Sequence, residues 1–203
     1  MGSWKSLRVA PLLLLLTPTA PAQAGGRWLI GANAGLGIPI SDFGDSWKTG
    51  PLVGASVGYA LTPQLTVGVD GSYMKNKPSK DYAAELALLS AKDEIKFIHY
   101  GMHGKWVAPT SENGVIPYLV AGLGFYSVKE NYVEPPFSDE STQTAFGARG
   151  GAGFDWMLGS SWGLTFEGDY HHVSIDKNKF GHDSAPFLGV TAGIHWVLQH
   201  GAK

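Results

Sequence analysis

Apolar residues alternate with polar or small residues along most of the chain. The segment that begins at Trp162 is the clearest case. One face carries Trp162, Leu164, Phe166, Gly168 and Tyr170, and the other carries Gly163, Thr165, Glu167, Asp169 and His171. Because successive side chains of a β-strand point to opposite faces, this period of two predicts strands with one apolar face.

Eight segments are predicted as strands. Seven of them follow the pattern, and the segment 115–128 is apolar on both faces, so the sequence leaves its facing unassigned. The eight segments lie near residues 27–37, 51–61, 65–75, 95–107, 115–128, 143–157, 162–174 and 186–198. Short turns (62–64, 108–114, 158–161) alternate with longer loops (38–50, 76–94, 129–142, 175–185). An even strand number and this alternation predict an all-β fold, an eight-stranded antiparallel up-and-down transmembrane β-barrel. The short turns and both termini would be periplasmic, and the longer loops external.

A soluble barrel of lipocalin type also has eight strands, with its apolar face inside. Two features instead favour a barrel whose apolar face points outward to lipid. The more polar face consists mostly of Gly, Ser and Ala, which suit a narrow interior. Aromatic residues of the apolar face also fall at strand ends beside short turns or termini, as expected for an interfacial girdle. These girdle residues are Trp28, Tyr59, Trp106, Trp156, Trp162 and Trp196, and a looser ring at the opposite ends comprises Tyr73, Phe146 and Tyr170.

Composition agrees with a membrane barrel. Charged residues form 16% of the chain, against about 25% in soluble domains. The 28 glycines are roughly twice the usual share. No sufficiently long apolar run follows residue 24, so strands must cross the membrane. No basic block is present, so nucleic acid is not expected as a partner.

The N-terminus has the pattern of a secretory signal. Lys5 and Arg8 precede the apolar run Val9–Leu16, and Ala22-Gln23-Ala24 follows. We therefore predict a signal peptide over residues 1–24 and a barrel domain over residues 25–203.

Two segments carry a family resemblance. Pro117-Tyr118-Leu119-Val120-Ala121-Gly122-Leu123-Gly124 is similar to the central strand of small outer-membrane barrels of the OmpA/OmpX type. Val57-Gly58-Tyr59 before Thr62-Pro63 resembles the first periplasmic hairpin of those barrels. The resemblance implies a location in the bacterial outer membrane and no cofactor. It also implies contact with lipid, with lipopolysaccharide and with the insertion machinery.

Several charges are expected inside the barrel. An unpaired charge is costly in a narrow interior of low dielectric constant, so these side chains should form an ion-pair network. We expect a filled interior, because eight strands leave little more than room for side chains. A small-solute pore is the alternative. The residues are Arg149, Glu167, Asp169, Asp70 and Lys105, together with His103 and His171.

His172 and Ser174 point outward near the external rim by the parity of their strand. This pair resembles the His-x-Ser motif of the outer-membrane lipid A deacylases, in which a histidine base activates a serine. Ile175 stands where that family has Asn, and Pro186 stands where it has the orienting acid. We therefore expect no catalytic activity, with a 3-O-deacylase-like lipid A hydrolase as the alternative.

The loops and histidines supply weaker signals. His99 and His103 are about 13 Å apart along one strand, so no metal site is expected. Residues 81–90 favour a short helix that caps the barrel mouth. Phe43, Trp47 and Tyr132 occur in long loops, where binding residues often concentrate. The sequence thus predicts a non-catalytic barrel with a structural or surface-interaction role.

Overall fold

The computed structural model describes residues 26–109, 114–135 and 137–199; the predicted signal peptide lies outside these residues. These residues form eight strands, and three short helices lie in the connections at one end of the barrel. The strands are β1 (Arg27–Pro39), β2 (Gly50–Ala60), β3 (Leu65–Asn76), β4 (Lys92–Val107), β5 (Val115–Glu134), β6 (Phe137–Met157), β7 (Trp162–Val173) and β8 (Phe187–Gln199). The helices are α1 (Ser41–Ser46), α2 (Lys80–Leu88) and α3 (Lys177–Phe180).

Each strand pairs antiparallel with its neighbours in the chain, and β8 pairs with β1 to close the barrel. The predicted up-and-down fold is confirmed. Following the residues that lie opposite one another once around the barrel from Trp28 leads to Leu188 and then to Ile38 on the starting strand. The register therefore shifts by ten residues per circuit, which tilts the strands by roughly 40° to the barrel axis.

The apolar face of the strands points outward. Val69, Met102 and Leu123 are 55%, 70% and 57% exposed, as expected for side chains that meet lipid rather than a protein core. Small residues on the inner face make room for the interior rings. A Cβ atom at Gly124 would lie only 2.6 Å from the Nε2 atom of His99. The abundance of glycine therefore follows from the narrow lumen.

The structure also fixes the facing of β5, which is apolar on both sides in the sequence. Leu119, Leu123 and Phe125 point outward, whereas Tyr118 and Tyr126 are buried inside. The predicted loop at 129–142 is wrong. β5 and β6 continue through this region as a long hairpin, with Val133 paired to Ser138. The segment is polar, and therefore resembles a loop in the sequence, because this part of the hairpin lies beyond the lipid-facing part of the barrel.

The external loops fold back over the barrel. The predicted loop helix is present as α2, where the Oγ atom of Ser79 accepts a hydrogen bond of 3.2 Å from the backbone N–H of Tyr82. Leu86 of this helix is buried, whereas Leu88 is 88% exposed. Among the described residues, no helix is long and apolar enough to cross a bilayer.

An apolar cluster lies at the external end of the lumen. It joins residues of α1, α3 and the connecting loops to inward positions of the strands, and we call it the mouth cluster. Its members are Phe43, Trp47, Leu52, Met74, Ile95, Phe97, Tyr126, Val128, Ala145, Val173, Ile175, Phe180, Ala185 and Phe187. The main hydrophobic core of this barrel therefore lies above the polar lumen and not within it.

Candidate functional site

Arg149 sits among three carboxylates in the lumen. Its Nη1 atom lies 3.1 Å from Oε1 of Glu167 and 3.0 Å from Oδ2 of Asp169. Its Nη2 atom lies 3.2 Å from Oδ1 of Asp70, which reaches across from β3. The guanidinium is almost buried, so these contacts replace most of its hydration. One cation thus ties β6 to β7 next to it and to β3 across the lumen.

Histidines extend this cluster. Asp70 accepts contacts from the Nδ1 atoms of both His99 (3.2 Å) and His103 (2.7 Å). His99 and His103 are four residues apart on β4, so their backbones are far from each other. Asp70 lies opposite Gly101, which is midway between the two histidines, and both rings therefore reach the same carboxylate. On the other side Asp169 contacts Nε2 of His171 at 2.8 Å. No group of three acidic, histidine or cysteine residues in the described ranges has the geometry to hold a metal ion.

Lys105 belongs to a second cluster nearer the end of the barrel at which β1 begins and β8 ends. Its Nζ atom lies 2.6 Å from Asp155 and 3.6 Å from the centre of the Tyr118 ring. The Tyr118 hydroxyl donates to Glu167 at 2.9 Å and so links the two clusters. Sequence reasoning placed Lys105 inside but did not find its partner. The inward parity of Asp155 was the available signal, but the choice of partner depends on the register across the lumen.

Little space remains between these side chains. A cavity of about 100 Å³ is lined by the charged clusters, by Thr165 and Thr191 and by the inner faces of β1 and β2. Such a volume holds a few waters. The lumen at membrane level is consequently a packed polar interior with a small wet pocket.

The mouth cluster closes the external end above the charges. The Phe43 ring packs edge-to-face on Phe97, with centroids 5.8 Å apart, and Phe97 lies 5.9 Å from Phe187. Phe187 stacks on His171 at 4.3 Å, where apolar and charged zones meet. Phe43 and Trp47 are only 1% and 4% exposed. The expectation that they serve as exposed binding residues of a loop is therefore wrong, because they fill the core under that loop.

The girdle residues lie at one level on the outside. All six point outward, and Trp28 contacts Tyr59 with ring centroids 5.1 Å apart. The register, a rise of ~3.3 Å per residue and a tilt of ~40° place them within about 6 Å of one plane. The same geometry puts Tyr73, Phe146 and Tyr170 about 17–24 Å higher. This spacing matches the apolar band of outer-membrane barrels, which is about 25 Å tall.

A carboxyl pair lies beyond the band. Glu130 and Asp93 are on extended parts of β5 and β4, about 35 Å above the girdle. Asp93 is buried and accepts a hydrogen bond of 2.8 Å from the Tyr82 hydroxyl. Burial raises the pKa of Glu130 to about 8, and the neighbouring Asp93 charge adds to the effect. Glu130 is therefore mostly protonated at neutral pH.

His172 and Ser174 do not form a catalytic arrangement. His172 is exposed on the lipid side, and its Nδ1 atom lies 3.5 Å from the Tyr170 hydroxyl. Within the described ranges it forms no ion pair with a carboxylate and no hydrogen bond with Ser174. Asp183 is 78% exposed at its side chain and pairs loosely with Lys177 at 3.7 Å. The third member of a triad is thus absent from the surroundings of His172 in the described structure.

The closed barrel, its lipid-facing apolar band and its aromatic girdle define an integral outer-membrane protein. The chain belongs to the family described as outer membrane protein beta-barrel domain, whose model matches residues 10–196. Its place is therefore the bacterial outer membrane, in contact with lipid. None of the curated proteins matches this sequence significantly.

Several solved barrels are similar in fold. Neisserial surface protein A (NspA) matches with a TM-score of 0.60 and 18% identity, covering 84% of this chain and 98% of that one. Ail, the attachment invasion locus protein of Yersinia pestis, matches with a TM-score of 0.56 and 14% identity, covering 86% and 100%. A major outer membrane protein of Thermus thermophilus gives 0.64 and 8%, covering 85% and 99%. At these identities the likeness concerns the fold alone.

Proposed function

We propose that this protein is a closed, non-conducting and non-catalytic barrel that anchors an external interaction platform in the outer membrane. The observation that carries the proposal is that two groups of packed side chains lie one above the other in the same lumen; we call them the two fillings. The charged clusters occupy the membrane level, and the mouth cluster seals the external end above them. A solute would have to displace both fillings to pass. A structural or surface role therefore fits the geometry better than a pore.

The platform consists of α2 and the hairpin formed by the outer ends of β5 and β6. The hairpin rises past the upper aromatic ring as far as Glu134 and Phe137. Leu88 and Leu89 of the α2 segment are exposed at the same end. Ail and NspA, a protein of attachment and a surface protein by their names, have the same fold. Exposed apolar residues on rigid elements suit contact with another macromolecule.

The orientation and biogenesis complete the proposal. The girdle side carries the start of β1 at Arg27, the end of β8 at Gln199 and the turns at 61–64 and 158–161, so we place both termini in the periplasm. Residues 1–24 act as the signal peptide in this scheme, and the insertion machinery and lipopolysaccharide are the partners met during and after assembly. The long external hairpin then faces the surroundings of the cell.

Conductance tests the closed state. Purified protein inserted in planar bilayers should give no steady current, and liposomes containing it should not swell in small sugars. A heat-dependent gel shift verifies that the barrel has folded. A positive control removes both fillings at once through Phe43→Ala, Phe97→Ala and Arg149→Ala. Stable, ion-selective current from the unmodified protein would refute the proposal.

A second assay addresses catalysis. The incomplete surroundings of His172 support an inactive pair, so lipid A incubated with the folded barrel should keep all its acyl chains. Mass spectrometry of the lipid gives the readout. Acyl release that disappears in Ser174→Ala but persists in Ser184→Ala would establish the deacylase alternative.

A further inference from the structure

A groove runs over the lipid-facing surface of β2 to β5. Its floor is formed by Ala55 and Gly71, and larger side chains, Tyr100, Met102 and Phe125, stand beside it. The register places the groove about 10–21 Å above the aromatic girdle. This is the upper part of the apolar band, where acyl chains of the outer leaflet surround the barrel. The groove therefore has the shape and the depth to seat an acyl chain.

Three lysines lie side by side on the same strands directly above the groove, and we call them the lysine row. Lys75, Lys96 and Lys129 are directly opposite one another in the register of β3, β4 and β5. Their outward facing follows from the pleat, since each stands four residues above a residue that borders the groove, namely Gly71, Tyr100 and Phe125. They lie about 25–31 Å above the girdle. That level is the upper edge of the lipid band, where phosphate groups of lipids are found.

Two glutamates neutralise part of this row. Glu94 lies 2.6 Å from both Lys75 and Lys96, and Glu140 lies 2.7 Å from Lys129. The row and its two glutamates keep a net charge of +1. Lys77 and Lys92 line a second, more polar groove immediately above, together with Glu94 and the buried Asp93. The face is therefore cationic on a chain with a formal net charge of −2.

The other strands lack this feature at the same height, and the lysines at this end on their side lie in the connections, at Lys48, Lys177 and Lys179. In the described parts of β1, β2, β7 and β8, no lysine or arginine occurs near the upper edge of the band. A cationic rim above a chain-sized groove on one side only is complementary to an amphiphile with a negative head. We propose that this face, built from β3 to β5, binds one anionic phosphate-bearing lipid of the outer leaflet. This inference stands independently of whether the barrel conducts.

In the bound state the lipid phosphate meets the lysine row, and one acyl chain follows the groove past Gly71. Lysines near an anionic lipid surface are worth about 1 kcal/mol each. With one uncompensated charge in the row, the expected preference for an anionic over a zwitterionic lipid is roughly fivefold. The lysines supply the choice of head group, and the groove keeps the lipid in register with them.

The chain has no cysteine, so a single reporter can be placed at will. Ala55→Cys, labelled with a small fluorophore, puts the reporter on the groove floor. Ala152→Cys on β6 is the matched control, because it faces lipid at a similar depth across the barrel. Each labelled protein is folded into vesicles that contain phosphatidylglycerol or phosphatidylcholine with brominated acyl chains, which quench on contact. The folded state is verified by the heat-dependent gel shift.

Quenching at Ala55→Cys should favour the phosphatidylglycerol probe by roughly fivefold, whereas Ala152→Cys should show no preference. Changing Lys75, Lys96 and Lys129 to Gln should abolish the preference. Changing Lys177 and Lys179 of α3 to Gln should leave it intact. Gly71→Leu fills the groove and should reduce the preference although the lysines remain.

Three results would overturn the proposal. Equal quenching by both lipids at Ala55→Cys would show that the face does not select a head group. The same preference at Ala152→Cys would show a general effect of protein charge. An unchanged preference after Lys75, Lys96 and Lys129 are all changed to Gln would show that these lysines do not select the head group.

Discussion

The inner face of the barrel differs sharply between the membrane level and the external end. Along β4 the inward residues are Lys105, His103 and His99 at membrane level, followed by Phe97 and Ile95 above it. On β3 the inward Asp70 likewise gives way to Met74. The change occurs at about the height where the lipid band ends. One strand therefore supplies a polar interior in its lower half and an apolar core in its upper half.

The outer face changes in the opposite sense at the same place. On β4, Met102 and Ile98 face lipid, and Lys96 and Glu94 follow above them. Water surrounds the upper part, so its apolar residues turn inward as in a soluble protein. Lipid surrounds the lower part, so apolar residues stay outside and paired charges fill the lumen. The solvent outside the barrel thus decides which face of each strand is apolar.

The largest effect should come from removing the cation at membrane level. Arg149→Ala leaves Asp70, Glu167 and Asp169 close together without a counter-charge, and breaking a buried ion pair from one side costs about 3–5 kcal/mol. The urea midpoint of unfolding in lipid vesicles, followed by tryptophan fluorescence, should fall accordingly. Neutralising the three carboxylates as well should restore part of the stability. An unchanged midpoint in Arg149→Ala would contradict the tight packing of this cluster.

Truncation in the mouth cluster should act more locally. Phe43→Ala removes a ring buried between Trp47 and Phe97 and should cost about 3 kcal/mol in that region. Amide hydrogen exchange should accelerate in α1 and around Phe180, while the membrane-level strands keep their protection. Leu88→Ala, at an exposed position of α2, is the control and should change nothing. Uniform loss of protection would mean that the two zones unfold as one unit.

The region around Glu130, at the outer ends of β4 and β5, should also respond to pH. The raised pKa of Glu130, about 8, means that the folded protein favours the protonated carboxyl group. Its stabilising contribution is complete below the ordinary value of 4.5 and is lost as pH rises through 8. The protection factors of amides at the outer ends of β4 and β5, which are corrected for the intrinsic pH dependence of exchange, should therefore fall between pH 7 and 9. Glu130→Gln should remove this dependence; its persistence would assign the effect to another group.

The smallest effect belongs to the exposed rim. Lys177 and Asp183 are 66% and 78% exposed and 3.7 Å apart. Water screens such a pair, so Lys177→Ala should change stability by less than about 1 kcal/mol. The variant is measured in the same urea titration as Arg149→Ala. A comparable loss in both variants would remove the distinction between buried and exposed charges.

Alternation predicted the barrel because a period of two recurs in seven of the eight strands. It also placed Arg149, Glu167 and Asp169 on the inner face, since facing depends only on parity. It could not assign β5, where Tyr118 and Leu119 are both large and apolar. The facing of a strand can be predicted from its sequence only where the two faces differ in polarity.

Pairing inside the lumen required the register, which sequence patterns do not supply. Asp70 contacts His99 and His103 because Gly101 lies opposite to it, and one step of slippage would remove both contacts. The mouth cluster was missed for another reason. Phe43 and Trp47 occur in a connector that composition assigns to the surface, and only the folded loops show that they are covered.

The mouth cluster has a consequence for how the external loops can vary between related sequences. Surface loops usually accept substitutions and insertions freely, but α1 and α3 contribute Phe43 and Phe180 to a shared core. A change at either position needs a compensating change elsewhere in the cluster. Diversity should therefore concentrate at the outer surface of α2 and along the upper hairpin. The parts of this protein most open to change are those farthest from the barrel axis, and the loops over the lumen are held by their own packing.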